Sequence, residues 1–103
     1  MANTHITLQS GNALVRIPLT SIRYLESRRH YVTVHAQCGT FRIRGKISEY
    51  ARRLAGKGFV QTHRCYVVNA SHVASARHAE VELVDGTRIP VGRRFRAKLT
   101  TVG

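Results

Sequence analysis

A chain of 103 residues, 43% of them hydrophobic, supports one compact domain spanning 1–103. Seventeen Lys and Arg stand against five Asp and Glu, a formal charge of +12 in which all but Lys46, Lys57 and Lys98 are arginine, so an anionic partner is expected. No apolar run nears the roughly 18–20 residues of a membrane span, and the first residues carry no secretory signal, which makes a cytoplasmic chain the expectation. An anionic membrane surface as partner would want a basic amphipathic helix, and none is long enough.

In chain order the pattern is short strands with one helix. His5–Gln9 and Ala13–Ile17 flank Ser10-Gly11-Asn12, a hairpin loop. Pro18 ends the second strand, and Ser21–Leu25 is a short apolar-bearing segment. Tyr31–Gln37 and Thr40–Arg44 form a clear hairpin around Cys38-Gly39. A two-residue loop there sets Ala36 opposite Phe41 and Val34 opposite Ile43 on an apolar face. His35 opposite Arg42 and Thr33 opposite Arg44 make a basic one. Cys-Gly is not the strongest turn dipeptide, which leaves a longer loop open.

Lys46–Ala55 places Ile47, Tyr50, Ala51 and Leu54 on one stripe of a short helix, with Arg52 and Arg53 on its solvated side and Gly56 and Gly58 as stops. Phe59–Gln61, Cys65–Val68 and Val73–Ala76 follow as short apolar segments. Glu80–Val84 and Thr87–Val91 close the pattern. A three-residue loop, Asp85-Gly86-Thr87, with a left-handed glycine and a bulge sets Leu83 against Ile89 and Val81 against Val91. Pro90 marks an edge strand. Val34, Ile43, Val81, Leu83, Ile89 and Val91 are expected in the core, and His35, Arg42 and Arg44 outside it.

Enzyme chemistry finds little support. None of the five carboxylates shares a motif with any of the six histidines, and no nucleophile-elbow, zinc-protease or phosphate-loop motif occurs. No catalytic residue, cofactor or metal is expected. Cys38 and Cys65 are isolated and read as two separate, reduced, partly buried thiols. Nucleic-acid binding fits better. Arginine's planar fork suits phosphate oxygens and guanine edges, and the basic residues gather between apolar strands. Arg28-Arg29-His30, His63-Arg64, and Arg93-Arg94 with Arg96 and Lys98 form three loops. Base-stacking aromatics are poorly placed, since Phe41 falls on the apolar face, and the lone helix has no helix-turn-helix partner. The competing readings are a small basic RNA-binding β protein and an interaction module for an acidic protein.

Three segments resemble the LytTR domain, the DNA-binding output module of response regulators. The first is Ile22-Arg23-Tyr24-Leu25-Glu26-Ser27 leading to His30-Tyr31-Val32. The most specific is Phe59-Val60-Gln61-Thr62-His63-Arg64-Cys65-Tyr66-Val67-Val68-Asn69. The third runs from Val81-Glu82-Leu83 through Asp85-Gly86 to Ile89-Pro90-Val91-Gly92-Arg93-Arg94. The resemblance covers about Ile6 to Leu99. It implies an elongated, mainly β fold of short antiparallel strands with one short helix, whose loops enter successive major grooves and bend the duplex.

The family's DNA contacts carry over to His30, Arg64 and Arg94. Arg28, Arg29 and Arg93 become candidate phosphate ligands, and His63 shapes its loop. On an extended segment Arg93 and Arg94 would point opposite ways, which favours Arg94 as the base reader. Gly92 stands where Ser is frequent, so a hydroxyl contact to phosphate is missing there, for which a backbone N–H could substitute. Cys65 likewise replaces a common Ser or Asn. Asn69, followed by Ala70-Ser71, is expected to build a turn through its side chain. The expected partner is double-stranded promoter DNA, as direct repeats or paired half-sites, with dimerisation on the DNA an option. No receiver domain is present in 1–103, which leaves a stand-alone regulator or a domain joined to an upstream receiver.

Overall fold

A computed structural model describes residues Thr4–Arg96. Lys98 and Leu99, included in the sequence reading, lie outside them. The described residues form ten strands: β1 His5–Ser10, β2 Ala13–Pro18, β3 Ile22–Arg28, β4 Tyr31–Ala36, β5 Gly39–Arg44, β6 Phe59–His63, β7 Tyr66–Asn69, β8 Val73–Ala76, β9 Glu80–Leu83 and β10 Arg88–Pro90. One helix, α1 Ile47–Arg53, follows β5. The molecule measures 40 Å along its longest axis against 31 and 25 Å.

The centre is a five-stranded antiparallel sheet ordered β5-β4-β3-β7-β6. One face is buried under the β1–β2 hairpin and α1, around Ile17, Leu25, Val32, Val34, Ile43 and Leu54. On the opposite face Val68, with Tyr24 and Tyr66, packs against Val81, Leu83, Ile89 and Val91. Those last four belong to the β10-β9-β8 sheet and the residue that follows it. That small sheet covers only the β3–β7 side; beyond it the outer face of β4–β5 is open, with Arg42 and Arg44 exposed.

The helix stripe is as expected, with Ile47, Tyr50 and Leu54 buried and Arg52 and Arg53 exposed. Its ends are shorter than Lys46–Ala55, because Lys46 is extended and Leu54 caps the end. All six core residues expected from the two hairpins are buried. Pro90 lies on edge strand β10, where a missing N–H breaks no ladder.

Both of those hairpins shift by two residues from the expected register. Ala36 faces Gly39 and Val34 faces Phe41. The loop is therefore Gln37-Cys38, and the Gln37 N–H is held by the Ser21 carbonyl at 2.7 Å. In the last hairpin Ile89 faces Val81, and the Leu83 N–H bonds the Thr87 carbonyl. Its three-residue loop is thus Val84-Asp85-Gly86, with Gly86 left-handed at φ 93°. Asp85 accepts the Thr87 N–H at 3.0 Å, which holds its carboxyl below the usual range. The first hairpin turns on Gly11-Asn12 alone, Ser10 pairing with Ala13. Cys38 at its hairpin tip is exposed, not partly buried, and both cysteines are free thiols.

At the end of the central sheet opposite the basic turns, two 3-10 turns, Leu19–Ser21 and Ala70–His72, lie side by side. Asn69, 5% exposed, joins them. Its Nδ2 donates to the carbonyls of Leu19 (3.2 Å) and Ile22 (2.9 Å), while its Oδ1 accepts from the backbone N–H and hydroxyl of Ser71. The expected side-chain turn is present, and it also fastens β7 to the start of β3.

Candidate nucleic-acid interface

Antiparallel pairing fixes where the basic turns go. Arg28 pairs with Tyr31, Tyr31 with Arg44, Glu26 with Tyr66, and Tyr66 with His63. The end of β3, the start of β4, the end of β5, the start of β7 and the end of β6 therefore share one end of the central sheet. The sequence candidates collect there in two neighbouring groups.

The first group is the two-residue turn Arg29-His30, closed by the Arg28–Tyr31 pair. Arg28, Arg29 and His30 are all exposed. Arg29 adopts φ 58°, and it is the one non-glycine residue with positive φ among the described residues. A left-handed arginine costs about 1–2 kcal/mol, and such strain concentrates where a side chain must be aimed. The His30 carbonyl accepts the Gly45 N–H at 3.0 Å. Glycine is required at that anchor, because at φ 143° a Cβ would come 3.2 Å from the Tyr50 ring.

The second group joins Arg64 on the β6–β7 turn to the segment after β10. His63 Nδ1 accepts the Cys65 N–H at 3.1 Å, so His63 shapes the turn as expected, and Arg64 is left exposed. The Cys65 carbonyl accepts the Ser27 N–H at 2.8 Å, tying this turn to the strand that carries Arg28. A bulge between Gln61 and His63 takes Thr62 out of the ladder register, and its carbonyl instead accepts the Gly92 N–H at 2.8 Å. His63, Arg64, Gly92, Arg93, Arg94 and Phe95 consequently line one concavity.

Two expectations change here. The Gly92 N–H is spent on Thr62 and cannot stand in for a hydroxyl toward phosphate. Arg93 and Arg94 are not extended: Arg93–Phe95 is a 3-10 turn closed by the Phe95 N–H on the Gly92 carbonyl. At three residues per turn, neighbours diverge by about 120° rather than pointing apart, and both arginines are exposed. Adjacency therefore does not choose between them.

The electrostatics favour an anion at this end. Glu26, two residues before Arg28 on β3, accepts the Tyr66 hydroxyl at 3.1 Å and meets His35 Nε2 at 3.3 Å. The Tyr24 ring stacks on His35 at 4.2 Å. Burial, then the Glu26 bond, pushes the Tyr66 phenol up, so it stays a donor at neutral pH. Asp85 pairs with Arg23 and Glu80 with Arg88, away from the turns. Among the described residues, no carboxylate pairs with Arg28, Arg29, Arg64, Arg93 or Arg94. Nor do three or more His, Cys, Asp or Glu gather as metal ligands. Sequence reasoning left Tyr31 and Arg42 out of the site, although both line the concavity with Arg28, Arg29 and His30. The basic face of the β4–β5 hairpin was the signal for Arg42.

A mainly β scaffold that gathers arginine turns at one sheet end is a nucleic-acid-binding architecture. Residues 12–103 match the LytTR family, the LytTr DNA-binding domain, and the chain belongs to that family. This is a DNA-binding family of transcriptional regulators, not an enzyme family. The fold is similar to that of the LytTr DNA-binding domain of a response regulator from Bacillus cereus. The TM-score is 0.80 at 21% identity, over 98% of this chain and 97% of that one. The chain is also 29% identical over 94 residues to the CO-responsive transcriptional regulator RcoM of Rhodospirillum rubrum. That match takes in 85% of this chain and 40% of RcoM, so the chain spans well under half of that relative's length. No helix among the described residues is long and apolar enough to cross a membrane.

Proposed function

We propose that this domain binds duplex operator DNA sequence-specifically, as the output part of a cytoplasmic bacterial transcription regulator whose signal-receiving part is a separate domain. His30, Arg64 and Arg94 read base edges in the major groove, and Arg28, Arg29 and Arg93 hold phosphates. The observation that carries this reading is the convergence of both arginine groups at one end of one sheet, clear of every described carboxylate partner. Family membership supports the ligand class. RcoM's name as a transcriptional regulator supports the setting.

The test begins with operators selected from a random duplex pool, followed by competition binding against single-base operator variants. Arg94→Ala is expected to lose about 1–3 kcal/mol on the selected site and to relax preference at one base pair. Arg64→Ala and His30→Ala should each relax a different position. Arg28→Ala should weaken selected and random duplex alike and lower the salt slope by about one. If all four variants weaken every duplex by one common factor, base reading by these residues is wrong. A preference for structured RNA over any duplex would replace the ligand altogether.

A further inference from the structure

The outer face of β4–β5 continues the basic surface beyond the turns. Register places Arg28, Tyr31 and Arg44 in one row across β3, β4 and β5, and Glu26, Thr33 and Arg42 in the next. The Arg42 guanidinium carbon lies 4.3 Å from the Tyr31 ring centroid and that of Arg44 lies 5.7 Å from it, both within cation–π range. The acid of the second row is occupied by His35 and Tyr66. Among the described residues neither Arg42 nor Arg44 has a carboxylate partner. Two exposed cations are thus held in fixed places on a strand, over a ring that is anchored beside the Arg29-His30 turn.

We infer that this strand face is a second DNA contact, a phosphate track for the duplex backbone flanking the bases read by the turns. Arg42 and Arg44 are its ligands, and Tyr31 is the positioning residue beneath them. The inference rests on the duplex-binding reading above. A guanidinium lying on an aromatic face keeps its edge N–H donors free for phosphate oxygens, and its geometry is set before binding. Extended backbone separates Arg42 from Arg44 by about 6.8 Å at Cα, room for two separate phosphates. The face carries no further base-reading apparatus, so its contribution is independent of sequence.

The experiment measures affinity against salt for a random-sequence duplex and a selected operator. The Arg42→Gln, Arg44→Gln double variant should lower the slope of log affinity against log salt by roughly 1.8, about 0.9 per phosphate. It should weaken both duplexes by the same factor and leave base preference intact. The Arg42→Lys, Arg44→Lys variant keeps the charge and should keep the slope. Tyr31→Leu should weaken both duplexes, and Tyr31→Phe should restore them. Thermal melts of each variant confirm the fold.

An unchanged slope in the glutamine variant overturns the phosphate track. If Arg64→Ala and Arg94→Ala still relax base preference on the same duplexes, the turn reading stands without it. Wild-type protein that binds no duplex at low salt overturns both.

Discussion

Raising salt from roughly 50 to 200 mM is expected to weaken duplex binding several hundredfold, because each neutralised phosphate releases about 0.9 counterion. Seven arginines face solvent at or beside the basic sheet end: Arg28, Arg29, Arg42, Arg44, Arg64, Arg93 and Arg94. With Arg64 and Arg94 reading bases, five remain for phosphates, and the slope of log affinity against log salt should lie near about −4.5. The slope should persist on random duplex, since phosphate contacts carry no sequence information. Titration of a labelled duplex at four or five salt concentrations measures it. A response flatter than about −1 would leave the arginines as solubility residues and move the ligand away from nucleic acid.

Asn69→Ala is expected to destabilise the domain by about 3 kcal/mol, since it removes all four hydrogen bonds of a buried side chain. For a chain of this size that lowers Tm by roughly 12–24 °C. The loss is large because one side chain serves two turns: the Leu19 and Ile22 carbonyls lose the amide's N–H donors, the Leu19 carbonyl keeping only that of Ile22, and Ser71 loses its acceptor. Ser71→Ala removes one bond only and should cost no more than about 1 kcal/mol. Asn69→Asp keeps the acceptor for Ser71 but brings a carboxylate against two carbonyl oxygens, and should be as damaging as alanine. Thermal unfolding followed by circular dichroism ranks the three. An Asn69→Ala loss within about 0.5 kcal/mol, the range of ordinary surface changes, would mean the two turns hold each other without it.

Periodicity carried much of the fold. The alternation in Tyr31–Gln37 and Thr40–Arg44 put Val34, Ala36, Phe41 and Ile43 on the core face and Thr33, His35, Arg42 and Arg44 on the other, as the structure has them, and the stripe of Ile47, Tyr50 and Leu54 located the helix. Register was beyond its reach. A two-residue slip leaves each residue on the same face, so Val34 opposite Ile43 and Val34 opposite Phe41 fit the pattern equally. The choice was made by contacts distant in sequence, such as Ser21 holding Gln37. The site divides in the same way. Arg28-Arg29-His30 and His63-Arg64 were legible as basic turns, but their meeting depends on β3 lying beside β7, a pairing across some forty residues. The 3-10 turn at Arg93–Phe95 had no local signal, because the Thr62 carbonyl that anchors Gly92 is freed only by a bulge in a different strand.

That bulge bears on how the domain would tolerate a poorly matched operator. Gly92 hangs from Thr62, the Arg64 turn hangs from Ser27, and the Arg29-His30 turn hangs from Gly45. Each proposed reader is bolted to a neighbouring strand by backbone hydrogen bonds rather than carried on a limb of its own. The protein is then a gauge of fixed pitch, and misfit between its prongs and the base steps falls on the DNA. Sequences that kink or twist cheaply at the steps between contacts would be preferred at positions no side chain touches, because the duplex is the softer of the two bodies.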